Sequence, residues 1–93
     1  MRIEEYKSFF NLNKLYSISD IKDILLDHGF AKNEISVEEY NIFVKTSYKD
    51  KILCINLSLP IVDEVYRIKS IYFIPIAIHL ANINNPYDYF VRK

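Results

Sequence analysis

The spacing of apolar residues changes period part-way along the chain. Ile18, Ile21, Ile24, Leu25 and His28 recur at intervals of three and four. At about 100° per residue they fall on one side of a helix. Ser17 and Asp20 stand three apart, the spacing of a capping box with Asp in place of the usual Glu or Gln. Gly29, the only glycine, follows the last apolar position. It suits the left-handed residue just beyond a helix, with Phe30 folding back on Leu25. A shorter helix is predicted over residues 3–10, where Ile3, Tyr6 and Phe10 share a face with Phe9 beside them. Residues 11–16 read as a connection in which Leu12, Leu15 and Tyr16 anchor into the core.

After Phe30 the period becomes two, the mark of a half-buried strand. In residues 39–48, Tyr40, Ile42, Val44, Thr46 and Tyr48 alternate with Asn41, Phe43, Lys45 and Ser47. Residues 51–59 follow, with Leu53, Ile55, Leu57 and Leu59 on one face and Ile52, Cys54, Asn56 and Ser58 on the other. In residues 65–74, Tyr66, Ile68, Ser70, Tyr72 and Ile74 alternate with Val65, Arg67, Lys69, Ile71 and Phe73. Three β runs joined by short links predict an antiparallel meander. Residues 75–84 fit a helix that starts at Pro75, or a fourth strand. Asn85-Pro86 then opens a short closing helix over residues 87–93. The expected class is α+β in one domain, residues 1–93. It has two N-terminal helices, a three-stranded or four-stranded antiparallel meander and a short C-terminal helix.

Composition narrows the function. The chain is 51% hydrophobic, enough for one core and wrong for a disordered segment. Its single cysteine excludes an internal disulfide, and the charged start lacks the apolar region of a signal peptide. Residues 70–87 are uncharged but carry two prolines, a histidine and three asparagines, so they read as core and not as a membrane span. These features predict a soluble cytoplasmic protein. The 15 Ile, 9 Lys, 8 Asn and 8 Tyr favour AT-rich codons, which suggests an AT-rich microbe or mobile element; if the gene is phage-borne, the compartment is the host cytoplasm. Formal charge is zero, twelve bases against twelve acids. A protein that wraps nucleic acid needs a concentrated basic face, and a global DNA mimic needs a large negative charge.

Catalytic chemistry is poorly supplied. One glycine cannot build a phosphate loop, and no His, Cys and carboxylate set has zinc spacing. Cys54 and His79 are the only conceivable nucleophile and base, but Cys54 lies in an apolar strand that suits a small core residue. His28 suits a donor at a helix C-terminus. The pairs Glu38-Glu39 and Asp63-Glu64 are adjacent, so extended backbone points them apart. No cofactor, no metal and no enzymatic activity are expected.

Binding is what remains. Asp20, Asp23 and Asp27 lie within roughly 60° of one another, nearly opposite the apolar face of the second helix. They form either its solvated side or a contact surface whose carboxylates, about 5 to 6 Å apart, stand in for phosphates. Leu26 falls outside the apolar arc and is either a cover for the sheet or an exposed anchor. Tyr66, Arg67, Lys69 and Tyr72 form a second candidate surface on the third predicted strand, where a basic, aromatic sheet could stack bases. Tyrosine-rich surfaces favour protein contacts. The expectation is a non-enzymatic inhibitor of the phage anti-defence kind (anti-CRISPR type) or a toxin-immunity protein. Its protein partner would be a nuclease or toxin with a basic groove. A small nucleic-acid-binding or regulatory protein is the runner-up, and an accessory subunit or homodimer the third reading.

Overall fold

A computed structural model of the chain describes residues 2–77. In order, the elements are helix α1 (Ile3–Lys7), strand β1 (Leu15–Ser17), helix α2 (Ile18–Asp27), a 3-10 turn (Lys32–Glu34) and strands β2 (Ile35–Glu38), β3 (Asn41–Lys45), β4 (Lys51–Leu57) and β5 (Val65–Pro75). The strands form one five-stranded antiparallel sheet in the order β1-β5-β4-β3-β2. The N-terminal strand therefore adds to the edge of β5, beside the meander.

This architecture corrects the expected one in four places. The first helix is a single turn and a half that stops at Lys7, where the Ser8 hydroxyl donates to the Glu5 carbonyl at 2.6 Å. Among the described residues only α2 is a helix of substantial length. Residues 15–17, expected in a connection, pair with β5 through Leu15 with Arg67, Tyr16 with Tyr66 and Ser17 with Val65. The predicted strand over residues 39–48 is shortened to β3, which ends at Lys45, and an unpredicted strand, β2, precedes it in a hairpin about Glu39, which takes φ 53°. Pro75 belongs to β5, while the rest of the ambiguous segment beyond residue 77 and the expected closing helix lie outside the described residues.

α2 forms as its local signals dictate. The Asp20 N–H donates to Ser17 Oγ at 3.0 Å, and the Ser17 N–H donates to Asp20 Oδ2 at 3.1 Å. Two of the helix's orphan donors are thus satisfied. At its other end Gly29 takes φ +97°. Gly29 N–H reaches the Leu26 carbonyl at 3.0 Å and Phe30 N–H reaches that of Leu25 at 3.2 Å, the two bonds of a Schellman stop. Phe30 then packs into the core that contains Leu25.

The main core lies between the helices and one face of the sheet. Ile21 and Leu25 of α2 meet Ile42, Val44, Leu53, Ile55, Leu57, Ile68 and Ile71. Tyr6 closes one side, edge-on to Phe73 at 5.7 Å between ring centroids, and Phe10 meets Tyr16 edge-on at 5.9 Å. Each fully buried Leu or Ile contributes about 1.5–3 kcal/mol by leaving water, so this layer supplies most of the folding free energy.

One irregularity sets the faces of β5. Ser70 pairs with Asn56 but Ile68 pairs with Leu57, so β5 carries an extra residue there. The bulge lets Ile68 and Ile71 both face the core opposite Leu57 and Ile55. A single alternation along 65–74, as the sequence suggested, places those two isoleucines on opposite faces. Burial of both overrides it.

Candidate protein-contact surface

The three aspartates of α2 are all exposed, but they are not equivalent. The Asp20 carboxylate accepts the Ser17 N–H, and the Ser17 backbone and then its hydroxyl hold its pKa below the ordinary value. It is engaged in capping the helix. Asp23 and Asp27 are in no ion pair among the described residues, where the only such contact joins Arg2 and Glu4 at 4.0 Å. Leu26 is half-buried and stands apart from the main core cluster. His28 Nδ1 lies 2.9 Å from the Ile24 carbonyl, and its ring stacks on Phe9 at 3.7 Å. That ring N–H is positioned as a donor to the helix C-terminus.

The second predicted surface lies on the other side of the sheet. Tyr66 packs toward the core, with its ring 6.5 Å from that of Tyr40. Arg67 pairs with Leu15, and Tyr72 pairs with Cys54, on the face turned away from the helices. Lys69 is exposed at the bulge. The structure thus brings Arg67 and Tyr72 to one face, which simple alternation separates. It leaves Tyr66 on the opposite face, and the α2 aspartates across the sheet from Arg67 and Tyr72. The eight candidate residues do not form one site.

The outer face also holds a polar cluster the sequence did not flag. Asn41 Oδ1 accepts Asn56 Nδ2 at 2.8 Å and the Cys54 thiol at 3.5 Å. Burial pushes the Cys54 pKa up, partly countered by a hydrogen bond with Tyr72. The group is therefore a protonated thiol at neutral pH, opposite to what nucleophilic attack needs. His79 lies outside the described residues. Beside the cluster, Glu38 pairs with Asn41, and its Oε2 is buried without a hydrogen-bond partner among the described residues. Among those residues no group of three or more His, Cys, Asp or Glu side chains could hold a metal ion. None of their helices is long and apolar enough to cross a membrane.

The most conspicuous surface is the β4–β5 connection, residues 58–64. Leu59 is 69% exposed, Ile61 48% and Val62 61%, with Pro60 exposed between them. The segment is fixed by its own backbone. Ser58 N–H donates to the Arg67 carbonyl at 2.8 Å, Arg67 N–H to Ser58 Oγ at 3.0 Å, Ile61 N–H to the Val65 carbonyl at 2.9 Å and Val65 N–H to the Val62 carbonyl at 2.9 Å. Asp63 and Glu64 complete the turn at φ 26° and 43°. Beside it a depression of about 400 Å³ is lined by Glu64, Tyr66, Lys22 and the first residues of α2. The sequence placed Leu59 on the apolar face of a strand over residues 51–59, but β4 ends at Leu57 and leaves Leu59 exposed. The only warning was the Leu-Pro-Ile-Val run, four apolar residues in succession with no polar alternation.

No family model matches the chain, and neither a curated protein nor a solved structure matches it.

Proposed function

We propose that this chain is a non-enzymatic binding domain that acts by occupying the surface of a partner protein. The class it fits is the stoichiometric inhibitor of phages and mobile elements, an anti-CRISPR type or toxin-immunity protein. The observation that carries this reading is the loop 58–64, with Leu59, Ile61 and Val62 exposed together on a hydrogen-bonded frame. Scattered exposed apolar side chains are ordinary on any protein, whereas a cluster of them marks a contact. A fixed loop also loses little conformational entropy when it docks. Asp23 and Asp27, exposed on α2 and in no ion pair among the described residues, supply a second, electrostatic contribution to the same role.

The test is affinity capture from bacterial lysate with the immobilised chain, run beside a variant carrying Leu59→Ser and Val62→Ser. A protein retained at one-to-one stoichiometry by the parent chain and released by the variant supports the reading. Retention of nucleic acid in its place, abolished by nuclease digestion, would overturn it in favour of binding through Arg67, Lys69 and Tyr72.

A further inference from the structure

Resting on the protein-binding reading above, we infer that loop 58–64 docks into a partner-protein surface that combines an apolar depression with a rim of lysine and arginine side chains. The apolar part follows from Leu59, Ile61 and Val62, which project from the end of the sheet. The basic rim follows from how charge is distributed along the strands. Leu57 N–H donates to the Tyr40 carbonyl at 2.7 Å, so the β2–β3 turn lies at the same end of the sheet as the β4–β5 connection. The charged side chains of residues 39–40 and 58–64 are Glu39, Asp63 and Glu64, all acidic and all exposed. At the opposite end, the β3–β4 connection carries Lys49 and Asp50 between Lys45 and Lys51. The connections at these two ends of the sheet therefore carry opposite net charge.

This polarity selects among occupants. A nucleic acid would bring phosphates against three carboxylates, and the adjoining depression offers one cation, Lys22, beside Glu64. A second copy docked tip-to-tip about a two-fold axis would set the same three carboxylates against themselves. A basic protein face gains attraction at the rim and excludes acidic competitors, while the apolar side chains supply the desolvated centre. Glu39, Asp63 and Glu64 are also the described non-glycine residues at positive φ, a conformation that glycine or asparagine adopts with less strain. Each turn thus presents a carboxylate where its backbone alone has no use for one.

The experiment is selection of random 12-residue peptides displayed on phage against the immobilised full chain at low salt. Enriched peptides are expected to combine Lys or Arg with Leu, Phe or Trp. Their affinity should fall about 10-fold or more on Leu59→Ser with Val62→Ser, as for loss of interface anchors. In a second variant, Glu39→Gln with Asp63→Asn and Glu64→Gln, binding should weaken several-fold and lose its salt dependence, since rim charges are screened over about 8 to 10 Å at physiological salt. Circular dichroism confirms that each variant is folded, and the charge variant stands alone if the apolar one is not. Peptides that are acidic or neutral, or whose binding survives both variants, overturn this inference and leave the protein-binding reading intact. Failure to enrich any peptide overturns both. Growth of head-to-tail polymers in light scattering of the chain alone also overturns it, by assigning the acidic tip to the chain's own lysine-rich end.

Discussion

Replacing Gly29 with alanine isolates the energy of a backbone conformation from that of packing. Gly29 holds φ +97°, and a Cβ built on it meets no atom within 4 Å. The substitution therefore creates no clash with another part of the chain. What it costs is local: an L-residue in the left-handed region brings its Cβ against its own carbonyl oxygen, about 1–2 kcal/mol. Alanine also narrows the unfolded ensemble, which offsets about 0.4–1 kcal/mol. The net expectation is a loss of about 1 kcal/mol. With a urea m-value of about 1–2 kcal/mol/M for a domain of this size, the midpoint should fall by about 0.5–1 M with the slope unchanged. In a thermal scan the same loss corresponds to about 4–8 °C. Gly29→Val should lose more, because a β-branched residue is stiffer still, and Gly29→Asn should stay close to the parent. If Gly29→Ala is neutral or raises the midpoint, the Schellman stop does not hold Phe30 against the core, and the end of α2 must be redrawn.

Leu25→Ala should cost about 2–5 kcal/mol in the same urea melts, since the side chain is fully buried in the main core, whereas Leu59→Ala should stay within about 0.5 kcal/mol. Ser17→Ala should lose about 1 kcal/mol through the broken cap. Because the native pKa of Asp20 is lowered, its contribution is complete where the unfolded carboxylate is already ionised and is lost as pH falls through the native value. Melts run from about pH 5 to about pH 2 should show Asp20→Asn flattening that decline. Cys54 should react with a thiol reagent at least 100-fold more slowly in buffer than in denaturing urea, roughly the protection that burial and a raised pKa give; equal rates would place it at the surface.

How much could be read in advance depended on how local each signal was. α2 was legible from Ser17 to Phe30 because its cap, its apolar period and its stop all lie within the segment. β4 and β5 were legible as strands because a long strand repeats its alternation several times, but the bulge hid the faces of β5 on the Val65 side of Ser70. β1 was not: three residues carry no period, and Tyr16 is a strand residue only because Tyr66 lies beside it. The β2–β3 hairpin was hidden because Glu39 takes a positive φ without the glycine or asparagine that announces such a turn. The exposed aspartates were placed correctly on the outside of α2, yet the engagement of one of them as a cap became a geometric fact only with the Ser17 distances. Loop 58–64 was illegible for a different reason. An apolar run reads as core until the surrounding chain is seen to leave it uncovered.

The attachment of β1 to β5 sets an order of assembly. Successive strands from β2 to β5 close over short connections, while Tyr16 and Tyr66 must find each other across about 50 residues, an encounter whose entropic cost grows with the logarithm of the loop. The meander is therefore expected to form early and to wait for the N-terminal segment. Ser17 ends β1 and Ile18 begins α2 with no residue between them, so the strand and the helix arrive as one unit. Until they do, the part of the β5 edge that β1 covers, at Val65, Tyr66 and Arg67, stands open, with its hydrogen-bonding groups available to any other extended chain. During synthesis that interval is absent, because β1 and α2 leave the ribosome before the strand they must cover. Refolding from denaturant has no such order, and it is there that β5 is most exposed to pairing between molecules.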